Sequence, residues 1–298
     1  MKHTLIASFF FCLLVVLQGC DAQGQSDADN PARNSDQIDL VFGVYTSDRP
    51  TDVVRQFRPL LDSLEAKLKE SLDRDVVIKM KVAENYDLGI EDLVNGRVDF
   101  SRFGPASFVL ATEENPGITL LAKETVKGEE VFYGIICAHA DGSVKAVSDL
   151  DGGSFAFGSE QSTIGRYLSQ LHLSQNGINA DDLDRYEYLG RHDTVGMAVS
   201  QGRFDAGALK ESTFNKLVDS GEPIIEIARF ENVTKPWAGR AGLDQKVHAA
   251  LSKGLLELVD PAALEAIGKS GFVAGDIADY DVTREAIVNN GTFFKKEQ

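Results

Sequence analysis

One nine-residue pattern occurs twice in this chain. Asp92-Leu93-Val94-Asn95-Gly96-Arg97-Val98-Asp99-Phe100 is answered 106 residues later by Ala198-Val199-Ser200-Gln201-Gly202-Arg203-Phe204-Asp205-Ala206. Each copy reads as a helix end, a glycine suited to a left-handed C-cap, and a strand carrying an aspartate. Solenoid repeats recur at roughly 20–50 residues, so copies this far apart mark equivalent places in two similar lobes. A loop rich in Gly, Pro or hydroxyls follows each: Ser101-Arg102-Phe103-Gly104-Pro105-Ala106-Ser107, and Gly207-Ala208-Leu209-Lys210-Glu211-Ser212-Thr213. Ligands of open α/β sheets sit beyond the carboxyl ends of strands. Two lobes turning such loops toward one another form a cleft. Read alone, Gly-Arg-x-Asp is equally an ordinary helix stop.

The rest of the chain alternates strand and helix. Ile38–Val44 is a buried strand; Val53, Val54, Phe57, Leu60, Leu61, Leu64, Leu68 and Leu72 follow at helical steps, with a kink expected at Pro59. Val76–Val82 is a second strand, and Ile90, Leu93 and Val94 mark a second helix. The fold class is α/β, each lobe a mostly parallel sheet flanked by helices. With 298 residues, the chain has the length of two domains. Strands Val131–His139 and Ile224–Phe230 are expected to be the two crossings between lobes, giving lobe one as 38–136 plus 238–298 and lobe two as 137–237. Two tail helices, around Val247–Val259 and Ala286–Val288, are expected on lobe one.

Charge limits the partners. Lys+Arg number 30 against Asp+Glu 46, a net −16, which argues against nucleic acid. A small anion remains open, because local dipoles rather than net charge hold such ions. The N-terminus reads as an address. Lys2 precedes an apolar run from Leu5 to Leu17, too short for a membrane span at about 20 residues. That run ends Leu17-Gln18-Gly19-Cys20, which resembles the lipobox of bacterial lipoproteins; the resemblance implies removal of residues 1–19 and a lipid on Cys20. Asp21 resembles the signal that retains such proteins in the inner membrane, so the expected place is the periplasmic face of a bacterial membrane. Residues 20–37 form a flexible, anchored tether of about 20–25 Å reach. Only Cys137 is left for the folded part, as a small core residue on a strand.

Two loops offer a grip on a ligand. After the strand Ser154–Phe157 comes Gly158-Ser159-Glu160-Gln161-Ser162-Thr163-Ile164-Gly165, then a helix. Ser162 and Thr163, with backbone N–H groups at a helix start, make a natural anion site, and either hydroxyl is equally a helix cap. In Tyr188-Leu189-Gly190-Arg191-His192-Asp193-Thr194, His192 can donate to an oxyanion while Asp193 caps the helix and orients the ring. No catalytic residues, metal site or cofactor are expected. The other histidines are scattered, and there is no P-loop, G-x-G-x-x-G or G-x-S-x-G elbow. Ser162, His192 and Asp193 make a triad on paper only.

In this order, the motifs resemble the phosphate/phosphite/phosphonate-binding family of ABC transporter periplasmic substrate-binding proteins. The segments are Phe103–Val109, Ser159–Gly165, Gly190–Asp193, Val199–Ala208 and Lys235-Pro236-Trp237, spread between Ile38 and Leu243. The resemblance implies a two-lobed type II periplasmic-binding fold, acting as a monomer, that closes on a phosphorus oxyanion and delivers it to a membrane permease. It implies oxyanion contacts from Ser162, Thr163 and His192, and an acidic position for an amino substituent at Asp205. Walls from lobe one fall to Tyr45, Phe103 and Ser107. Phe103 and Phe108 stand where many relatives carry Tyr, Ile164 replaces a Ser, and Arg191 precedes the His, adding a cation near the anion. Such losses of donors open the pocket to a ligand bulkier or less charged than phosphate. The alternative is a ligand-sensing lipoprotein of the same fold that signals to a membrane receptor.

Overall fold

The computed structural model describes residues 37–46 and 50–294; Cys20, Asp21 and the tether through residue 36 lie outside the described residues. In chain order the elements are β1 (Gln37–Tyr45), α1 (Pro50–Leu72), β2 (Asp75–Ala83), α2 (Tyr86–Val94), β3 (Phe100–Arg102), α3 (Pro105–Glu114) and β4 (Thr119–Thr125). The second lobe adds β5 (Val131–His139), β6 (Ser154–Phe157), α4 (Leu168–Gln175), β7 (Arg185–Tyr188), α5 (His192–Ser200), β8 (Ala206–Lys210), α6 (Glu211–Asp219) and β9 (Ile224–Val233). The chain then returns through β10 (Pro236–Gly239), α7 (Gln245–Leu256), α8 (Pro261–Ala266), β11 (Gly271–Val273) and α9 (Asp281–Val288).

Two sheets result, ordered β11-β4-β10-β3-β1-β2 and β7-β6-β8-β5-β9. They are mixed rather than mostly parallel. β1 pairs in parallel with β2 and β3, and β6 with β7 and β8, as strand–helix–strand units require. β4, β10 and β11 in one sheet, and β5 and β9 in the other, pair antiparallel. β4, β5, β9 and β10 flank the passages between lobes, and β11 is added at the sheet edge after α8.

The crossings themselves differ from expectation. β5 and β9 are paired with each other along their length inside the second sheet. The chain passes between lobes just before β5 and just after β9, where Thr234 N–H donates to the Glu130 carbonyl (2.9 Å). Their apolar character suits a sheet interior and carries no mark of a hinge. The tail differs as well. Ala286 on α9 packs with Ala106 of one lobe and Tyr167 and Leu168 of the other. Phe293 sits in the second lobe's core, edge-on to Phe157 at 5.7 Å. The chain end therefore returns to lobe two.

The repeated pattern does the same work twice. Gly96 and Gly202 both have φ +67, and each closes its helix with the same pair of bonds: Gly96 N–H to Leu93 O with Arg97 N–H to Asp92 O, and Gly202 N–H to Val199 O with Arg203 N–H to Ala198 O. Each following aspartate then ties down a strand of its sheet. Asp99 accepts from the Val41 N–H (2.8 Å) and Asp205 from the Ser154 N–H (2.8 Å). Pro59 lies inside α1 without ending it. Cys137 is fully buried on β5, and burial pushes its thiol up to about 12.

Candidate functional site

Three helices begin at the gap between the sheets. In lobe one, β3 ends at Arg102 and α3 starts with Pro105 at its first position; no side chain caps it. Tyr45, at the end of β1, anchors that start. Its hydroxyl accepts from Gly104 N–H (2.7 Å) and shares a hydrogen bond with Ser107 Oγ (2.9 Å), while its ring stacks on Tyr86 (4.0 Å) and Phe103 (5.8 Å). Gly104 is small for a reason. A Cβ there would lie 3.2 Å from the Tyr45 hydroxyl and 3.5 Å from Thr163 Oγ1 of the opposite lobe.

In lobe two, the loop after β6 folds back on itself. Gly158 N–H donates to Gly165 O (2.8 Å), and a Cβ on Gly165 would meet Gly158 Cα at 2.8 Å. Ser162 Oγ caps the turn Thr163–Tyr167 by accepting from Gly165 N–H (2.9 Å). Thr163 Oγ1 accepts from Ala106 N–H (2.8 Å), a hydrogen bond from lobe to lobe. Both hydroxyls thus serve the fold as acceptors, and each keeps its own proton to donate. His192 opens α5 and is buried.

Between these starts lies a cavity of about 20 Å³. Ser162, Thr163, Ile164 and His192 line it, as do Gly104 and Tyr86 from lobe one. Lys210, Asn232 and Lys235 line it as well; none of them is named as a contact from the sequence, although Lys210 and Lys235 fall in segments singled out there. Asn232, near the end of β9, is buried, and neither atom of its side-chain amide has a hydrogen-bond partner. A buried amide left unsatisfied costs about 1–3 kcal/mol, so Asn232 offers both a donor and an acceptor to a polar group in the cavity. The signal was present as four polar residues among five, Glu231-Asn232-Val233-Thr234-Lys235, leading into a buried Pro-Trp.

Lys235 stands over a buried charge cluster. Glu124 is fully buried and accepts from two of the three guanidinium nitrogens of Arg102, Nε and Nη2, from the Trp237 indole N–H (3.0 Å) and from the Lys269 ammonium (3.5 Å). Burial alone would raise its carboxyl; Arg102, Lys269 and Lys235 outweigh that and hold it at about 2. Burial also pulls the Lys235 ammonium well below its ordinary value, reinforced by Arg102, Lys210 and Lys269 and opposed by Glu124. Basic side chains therefore line the cavity, although the chain carries −16 overall.

The remaining expectations separate cleanly. Tyr45 and Ser107 bind each other and the α3 start; neither lines the small cavity, while Tyr45 lines the larger one adjoining it. Phe103 is buried in the lobe-one core, and Phe108 packs edge-on to Tyr280 (5.1 Å). Asp205 is corrected: it sits at the amino end of β8, away from the cavity, and binds Ser154 through N–H and hydroxyl (2.8 and 2.6 Å). A strand's amino end points away from a site built at carboxyl ends. Arg191 and Asp193 form a fork on each other (3.0 and 3.3 Å), so Asp193 is engaged beside the histidine by a cation. That pairing removes the paper triad.

Helix starts, hydroxyls, an amide and ammonium groups converging between two lobes define a binding protein for a small anion. A family model described as "ABC transporter, phosphonate, periplasmic substrate-binding protein" matches residues 42–280. The chain belongs to that family, and its fold is the type II periplasmic-binding one. A probable ABC transporter phosphite binding protein, PhnD1, of Prochlorococcus marinus is 25% identical over 198 residues, 62% of this chain and 66% of that protein. The phosphate-import protein PhnD of Mycolicibacterium smegmatis is 22% identical over 233 residues, 74% and 70% of the two chains. The solved structure of PhnD1 in complex with methylphosphonate superposes with a TM-score of 0.73 at 21% identity, covering 85% of this chain and 98% of that one.

Proposed function

We propose that this protein captures a phosphorus oxyanion, whether phosphonate, phosphite or phosphate, in the interlobe cavity and hands it to the membrane permease of an ABC importer. The observation that carries the reading is the pairing of an unpartnered buried amide, Asn232, with a shielded ammonium, Lys235, at the mouth of converging helix starts. Relatives named for phosphite and phosphate, and one solved with methylphosphonate, support the same ligand class. Ser162, Thr163 and His192 donate to the oxygens from lobe two. Tyr86, Gly104 and Pro105 line the cavity from lobe one, so a ligand touching both lobes favours the closed state by its differential contacts. Anchoring through a lipid on Cys20, at the periplasmic face of the inner membrane, keeps the protein beside its permease. Tyr45 and Ser107 act by fixing the α3 start.

Calorimetric titration of the full chain in mild detergent, freed of carried-over ligand, tests the reading. Micromolar or tighter binding of phosphate, phosphite or methylphosphonate, with sulfate bound much more weakly, is expected. Equal silence toward all of them contradicts the proposal. Replacing Cys20 by Ser tests the anchor: the protein should move from the membrane to the soluble fraction.

A further inference from the structure

A second cavity adjoins the first. It measures about 320 Å³ and shares Phe132, Lys210 and Lys235 with the small one. A phosphate, phosphite or methylphosphonate is compact, and an annex of this size has room for several waters beside it. Its walls are of two kinds. Val53 and Phe57 of α1, with Phe132, present apolar surface. Around them stand five cations, Arg102, Lys210, Lys216, Lys235 and Lys269.

Two carboxylates, Asp52 and Glu265, share that lining. Arg102 and Lys269 are balanced by buried Glu124, and Asp52 of the lining is held by Arg55 (2.6 Å). Glu265 is the other lining carboxylate. Lys235 and Lys216 lie on the annex wall, and among the described residues no salt bridge engages either ammonium. One lies where the two cavities meet, the other out on α6. A ligand reaching both needs a head, a short apolar stem and a second negative end.

Resting on the function proposed above, we infer that the annex is a second subsite, and that the physiological ligand is a phosphorus oxyanion whose carbon tail ends in a second anionic group. The head occupies the small cavity against Asn232 and His192. The stem runs along Phe132 and Phe57, and the terminal anion meets Lys216. A cationic tail meets repulsion from the same lysines, which agrees with Asp205, the acidic group expected for an amino substituent, lying elsewhere.

Phosphonoacetate, methylphosphonate and 2-aminoethylphosphonate share the head and differ in the tail, so they make the test. Titrated into the full chain, phosphonoacetate should bind at least tenfold tighter than methylphosphonate, and 2-aminoethylphosphonate more weakly than either. Lys216→Met, at an exposed position, should reduce the phosphonoacetate-to-methylphosphonate affinity ratio about threefold, with the melting temperature showing that the variant is folded. Methylphosphonate binding as well as phosphonoacetate, or a ratio untouched by Lys216→Met, overturns the second subsite while the proposed function stands. Failure of all three probes to bind overturns the proposed function and the subsite with it.

Discussion

Replacing Lys235 by Met removes the shielded ammonium while keeping the stem that packs in the cleft. Its worth to a bound oxyanion is that of one charge-assisted hydrogen bond, about 1.5–3 kcal/mol, or roughly tenfold to 150-fold in Kd. The empty protein responds in the opposite sense. Burial, with repulsion from Arg102, Lys210 and Lys269, holds this ammonium well below its ordinary value. Between the depressed native value and the ordinary one, the unfolded chain binds a proton that the native chain lacks, so stability rises with pH through that window. The Met variant loses this slope and gains most relative to the parent at the low end of the window. An arriving oxyanion favours the charged lysine, so binding takes up a proton wherever the empty site holds it neutral. Calorimetry in buffers of different ionisation enthalpy reads that uptake directly: a positive slope for the parent, none for Lys235→Met. Unchanged affinity in the variant, within twofold, would refute the reasoning, as would a parent that binds with no proton uptake at pH values above its native lysine value.

Other outcomes follow from the same geometry. Ser162→Ala and His192→Ala should each weaken methylphosphonate binding about tenfold by titration, since each removes one donor to the anion. Asn232→Leu should bind at least tenfold more weakly yet melt no lower than the parent, because it deletes an amide that the empty fold leaves unsatisfied. Asp205→Ala should cost about 1 kcal/mol of stability through its lost bonds to Ser154 and leave 2-aminoethylphosphonate affinity unchanged. Glu124 has its carboxyl lowered from 4.5 to about 2, so its contribution is present above the ordinary value and disappears as pH falls through the native one. That amounts to about 3 kcal/mol, visible as a drop in denaturant midpoint between those pH values. Glu124→Gln should lose a similar amount at neutral pH, because it strands Arg102 and Lys269.

What the sequence disclosed was whatever is decided locally. The two glycine caps and their aspartates are fixed by bonds within a few residues, so the doubled pattern revealed the two lobes. Ser162, Thr163 and His192 stood out because a strand, a short polar loop and a helix are consecutive in the chain. The crossings were misplaced because an apolar strand such as β5 reads the same in either sheet; its partner β9 is far away in sequence. Phe293 gave no sign of crossing back, since nothing near it names the Phe157 ring it meets. Asn232 and Lys235 were passed over for a related reason. Polar residues at a strand end are ordinary, and only the fold shows that these two are enclosed. Asp205 went astray because the doubled pattern marks the amino ends of strands, whereas the cavity lies at the carboxyl ends.

A crystal structure of the protein with methylphosphonate bears most directly on the central claim. The account places the phosphonate in the small cavity, its oxygens at about 2.6–3.2 Å from the Lys235 ammonium, the Asn232 amide and donors of the Thr163 and His192 segments. A phosphonate found elsewhere, or one held without Lys235 and Asn232, would contradict it.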